Sequence, residues 1–108
     1  MKYQTLADAH AQIQENDIFM QRWGYDQTNV DFVQVVKVTR RRVWVRPIDQ
    51  QEVKHGSMTA EVLPLLNHFT GEARVKKPYL WNGEVRLVVE HGSCRKWDGQ
   101  PKQTTSYA

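Results

Sequence analysis

The sequence predicts a mainly β, α+β fold: one short N-terminal helix and a small curled antiparallel sheet or partly open β-barrel, in a single domain over residues 1–108. Three observations carry this. Residues 30–38 are rich in β-branched side chains, and residues 42–48 alternate Arg42, Trp44 and Arg46 with Val43 and Val45, the period of a half-buried strand. Trp81-Asn82-Gly83-Glu84 offers Asn-Gly, the pair that supplies two positive-φ residues to a type I′ hairpin turn. A chain of 108 residues supports one modest core rather than two.

The elements follow in order. Thr5 with Asp8 three residues later makes a capping box with Asp in place of Glu, and Leu6, Ala9, His10 and Ile13 recur at helical spacing, so a helix is expected over residues 6–14. Asn16 ends it in the left-handed conformation. Ile18, Phe19, Met20 and Trp23 form a first strand that Gly24 stops, and residues 24–29 are an ordered polar loop. In the strand over residues 30–38, Phe32, Val36 and Val38 take one face and Val33 and Val35 the other; with both faces apolar it is central. Residues 49–60 are polar and read as a loop, and residues 61–66 as a short strand that Pro64 places at an edge. The second arm of the Asn-Gly hairpin buries Val85, Leu87 and Val89 and exposes Val88. After Gly92 apolar content collapses, so residues 92–108 read as a turn-rich tail whose last seven residues are dispensable to the fold.

Hydrophobic residues make up 40% and charged residues 25% of the chain, too apolar for wholesale disorder. Cys94 is the only cysteine, which excludes a disulfide scaffold and favours a reducing, cytoplasmic home. No leader-like segment and no run of membrane-spanning length is present, so no membrane role is expected. The net charge of +3 is unevenly placed: residues 37–46 carry Lys37, Arg40, Arg41, Arg42 and Arg46 and no acid.

That decad is the candidate binding site. Lys37, Arg40, Arg41, Arg42, Trp44 and Arg46 are side chains that grip phosphates, stack on bases or anchor in an acidic partner. Arg74, Lys76, Lys77, Arg95, Lys96 and Trp97 extend it if the later strands lie alongside. Of the four tryptophans, Trp44 and Trp97 are the expected surface residues and Trp23 and Trp81 the expected core or rim ones. His91 and Cys94 are too few for zinc, and no phosphate loop, nucleophile elbow or nicotinamide fingerprint is present. The expected catalytic, metal and cofactor sets are therefore empty, and the chain reads as a binding protein rather than an enzyme.

At Trp23-Gly24-Tyr25-Asp26-Gln27-Thr28-Asn29-Val30-Asp31-Phe32, followed by Val35-Val36-Lys37-Val38, the chain resembles small proteins encoded by bacteriophages, prophages and plasmids. Trp97-Asp98-Gly99-Gln100-Pro101, followed by Thr104 and Tyr107-Ala108, is similar to the C-terminal signature of that group. The resemblance spans residues 17–108 and brings no catalytic residue with it. It implies a mobile-element protein in a bacterial cytoplasm that either binds nucleic acid or inhibits a host defence complex of the CRISPR or restriction type. A structural or regulatory subunit of a homo-oligomer is the third expectation.

Overall fold

A computed structural model describes residues 2–24, 27–89 and 92–105. Among the described residues a short helix, α1 (Leu6–Ala11), precedes nine strands: β1 (Ile18–Trp23), β2 (Asn29–Val38), β3 (Val43–Gly56), β4 (Thr59–Phe69), β5 (Arg74–Lys76), β6 (Tyr79–Trp81), β7 (Glu84–Val89), β8 (Gly92–Lys96) and β9 (Lys102–Thr105). They form one antiparallel sheet in the order β6-β7-β8-β1-β2-β3-β4-β9, with β5 on β3. The sheet curls into a half-barrel. Its far edge returns to the middle: Thr105 of β9 donates its backbone N–H to the Thr28 carbonyl (3.0 Å), and its hydroxyl accepts the Thr28 N–H (2.8 Å).

Each face of the curled sheet has its own core. On one, Ala9 and Ile13 from the helical segment pack on Phe19, Val35, Val43, Val45, Val85, Leu87 and Cys94. On the other, Met20, Val30, Phe32, Ile48 and Val62 form a second cluster, joined by Phe69 and Trp97. Phe19 and Phe32 are almost wholly buried, and each such ring contributes about 1.5–3 kcal/mol. In β2, the amide of fully buried Gln34 donates to Asn16 Oδ1 (3.0 Å) and Asn67 Oδ1 (2.9 Å), and its oxygen accepts the Asn67 backbone N–H (2.7 Å). Asn16 (φ 76°) and Asn67 (φ 68°) are both left-handed, so one amide fixes two backbone positions, the second at an irregularity of β4, that few residue types tolerate.

The helix begins as its cap predicts, with Thr5 Oγ1 accepting the Asp8 N–H at 3.1 Å, but it ends at Ala11. The Asn82-Gly83 turn has φ of 50° and 78°, as its hairpin requires. At Gly24 (φ +131°) an added Cβ would lie 1.9 Å from the Gln27 carbonyl oxygen, so only glycine fits before the loop. Tyr25 and Asp26 of that loop, like Glu90 and His91, lie outside the described residues.

Four expectations are corrected. Residues 49–60 are not a loop but the distal arms of the β3–β4 hairpin, closed by Ser57 and Met58 between paired Gly56 and Thr59. Its β3 arm is exposed on both sides from Gln51 to Gly56, so that arm has no buried face to impose an alternating pattern. The expected tail holds β8 and β9, and β9 pairs with β4 over Thr59–Val62; its polar sequence hid a strand whose stability comes from backbone pairing. The faces of β2 swap at a bulge: Val35 opposes Val45, Lys37 opposes Trp44 and Val38 opposes Val43. The extra residue, Val36, moves Val38 onto the side of Val35. Finally, Trp81 is 57% exposed, whereas Trp97 stands edge-on to Phe32 at 6.1 Å with its Nε1 donating to the Gln100 carbonyl at 2.7 Å.

Candidate functional site

The β2–β3 turn carries the densest positive charge. Thr39 closes it through its N–H to the Arg42 carbonyl at 2.9 Å, and the Thr39 carbonyl accepts a hydrogen bond from His10 Nε2 at 2.7 Å. Because a carbonyl only accepts, that ring nitrogen carries the proton. Buried His10 thereby ties α1 to the turn. Arg40, Arg41 and Arg42 are exposed, and none has an ion pair among the described residues. Between the turn and α1 lies a groove of about 770 Å³, floored by Leu6, Ala11, Val38 and Pro78 and rimmed by Arg40, Arg41 and Lys77.

The other residues of the decad are placed differently. Val43 and Val45 enter the core and Trp44 and Arg46 take the opposite face. Lys37 Nζ lies 4.8 Å from the Trp44 ring centroid, a cation–π contact that covers one face of the indole. Arg46 is engaged twice, its guanidinium 4.0 Å from the Phe69 ring and its Nε donating to the Gly71 carbonyl at 2.8 Å. It braces the chain after β4.

Of the expected extension, β5 brings part alongside. Arg74 opposes Val45, Val75 opposes Trp44 and Lys76 opposes Val43; opposed residues share a face, so Arg74 and Lys76 stand on the side of the helix. Together with Val33, Val45 and Val89 they line a second hollow of about 300 Å³. Arg95, Lys96 and Trp97 are not part of this surface. Arg95 opposes Arg86 and Met20, on the other face, and Lys96 pairs with Asp17 at 3.3 Å and donates to the Gln12 carbonyl at 3.3 Å. The ring of Trp97 belongs to the second core.

What the sequence reading missed is the apolar half of the site. Leu6, Ala7 and Ala11 sit on the face of α1 away from the core, and their partner, the turn, is about 30 residues away; no local pattern links them. Elsewhere the chemistry is quiet. Burial pushes the Cys94 thiol up to about 12, far from the thiolate that nucleophilic or metal chemistry needs. Among the described residues no three His, Cys, Asp or Glu side chains converge as metal ligands, and no helix is long and apolar enough to cross a membrane. The tip of the β3–β4 ribbon is no cationic surface either: Glu52 pairs with His55 at 3.1 Å and Glu61 with Lys54 at 3.8 Å.

Fold and site together define a small half-barrel with an unpaired cationic turn beside apolar hollows. Comparison with family models, curated proteins and solved structures returned no match.

Proposed function

We propose that this protein is a non-enzymatic accessory protein of a mobile genetic element that binds nucleic acid through the β2–β3 turn and β5. The observation that carries the reading is that Arg40, Arg41, Lys77, Arg74 and Lys76 gather along the two hollows on one side of the sheet, with exposed Arg42 in the same turn, and that none of them has a carboxylate partner among the described residues. Unpaired guanidinium and ammonium groups at close spacing neutralise phosphates and release their counterions. Trp44, with Lys37 over it, faces the other side of the sheet and is not part of this row.

The test is fluorescence anisotropy of labelled DNA and RNA at low and near-physiological salt, beside Arg42→Glu. Binding that weakens steeply with salt, and that the variant weakens for all sequences alike, supports the reading. No binding at either salt overturns it. The aliphatic floor of the larger groove favours a second reading, a protein inhibitor of a host defence complex, with apolar anchors from an acidic partner in the groove. That reading requires negligible nucleic-acid affinity and a stable complex with a host protein.

A further inference from the structure

The two hollows beside β5 bear on which kind of nucleic acid fits. Arg74 and Lys76 are about 7 Å apart along their strand and border the hollow floored by Val33, Val45 and Val89. Lys77, next in the chain, rims the larger groove with Arg40 and Arg41. Five cations therefore follow one another from β5 to the turn, and the space on their inner side is apolar in both places. A row of cations matches a phosphate backbone. Apolar hollows along that row match bases turned out of any stack, which only an unpaired strand presents.

A duplex would meet the same rim with phosphates alone and leave both hollows empty. The element by which a β protein enters a duplex major groove, a two-stranded ribbon, is present here as β3–β4, but its distal arms carry Asp49, Glu52 and Glu61 against Lys54. Like charge keeps it away from DNA. Resting on the nucleic-acid reading above, we infer that the site takes single-stranded nucleic acid, with phosphates on Arg74, Lys76, Lys77, Arg40 and Arg41 and bases in the two hollows.

The test fills the larger groove without touching a cation. Ala7 and Ala11 are exposed groove-lining residues of α1, and leucine at both keeps helix propensity while occupying the space meant for a base. Anisotropy at near-physiological salt compares a labelled dT oligonucleotide of about 12 nucleotides with the matching dA·dT duplex, for wild type and Ala7→Leu/Ala11→Leu. The single change Ala11→Met serves if the double variant loses its cooperative melt. The wild type should bind the dT strand about tenfold more tightly than the duplex, and the filled groove should weaken the dT strand about tenfold while leaving the duplex unchanged. Equal affinity for strand and duplex, or unaltered dT binding in a folded variant, overturns the inference while the nucleic-acid reading stands. Absence of all binding removes both.

Discussion

The cations of the β2–β3 turn and two others, Arg46 of β3 and Lys102 of β9, differ in what surrounds them. Arg40, Arg41 and Arg42 project from a turn that Thr39 and His10 hold in place, and no carboxylate meets them among the described residues. Arg46, only four residues on, is bound to a carbonyl and a ring. Lys102, nearly buried, holds Asp98 at 2.7 Å. The difference teaches that a charge count marks a region and strand register decides which charges remain for a partner. Arg46 and Lys102 brace the sheet; the charges of the turn, like Arg74 and Lys76 of β5, meet no carboxylate among the described residues.

The largest effect should come from the bracing group. Deleting residues 102–108 removes β9, its pairing with β4, the Thr105 bonds to Thr28 and the Lys102–Asp98 contact. The thermal midpoint should fall by more than about 10 °C; an unchanged melt would mean that β9 closes nothing. This reverses the expectation drawn from the tail's polar composition.

Next come the free charges. Arg40→Glu with Arg41→Glu should weaken nucleic-acid binding at least about thirtyfold, roughly 2 kcal/mol, with the melt unchanged. A comparable loss from Arg46→Ala would erase the distinction between the two groups. Arg46→Ala should lose about 1–2 kcal/mol of stability with its hydrogen bond and ring contact, measured by urea unfolding, and keep its affinity within about twofold.

The smallest effect is electrostatic. The hydrogen bond from Lys102 holds the Asp98 carboxyl below its ordinary value. A depressed folded pKa adds stability above the unfolded value of about 3.9 and loses it as pH falls through the folded one. Wild type should therefore lose more of its melting temperature between neutral pH and about pH 3 than Asp98→Asn does, and equal losses would show that the pair does not help hold β9.

How much of this was legible in the sequence depended on whether the deciding interaction was local. The Thr5 cap and the Asn82-Gly83 turn were readable because each is settled within a few residues; Asn16 is left-handed but does not end the helix, whose cap is Gln12, and it is held by Gln34 from across the sheet. The inward placement of Val43 and Val45 was readable because a core lies on one side. The distal β3–β4 ribbon and β9 were not, since polar strands held by backbone pairing leave no periodic signal. The bulge at Val36 was hidden for a related reason: valines on either register look alike, and only the pairing with β3 shows which way Val38 turns. Within the site, the arginines were visible as a run. The engagement of Arg46 and the groove against α1 depend on Phe69, Gly71 and His10 meeting across the fold.

The central claim is that the turn and β5 are where nucleic acid binds. It is tested most directly by following the backbone amide resonances of the 15N-labelled protein while an unlabelled dT oligonucleotide is added. The account predicts shifts confined to Arg40, Arg41 and Arg42, to Arg74, Lys76 and Lys77, and to the neighbouring face of α1, with the distal β3–β4 ribbon and Arg95 unmoved. Shifts centred on Arg95 or the ribbon, or no shifts at saturating oligonucleotide, would contradict it.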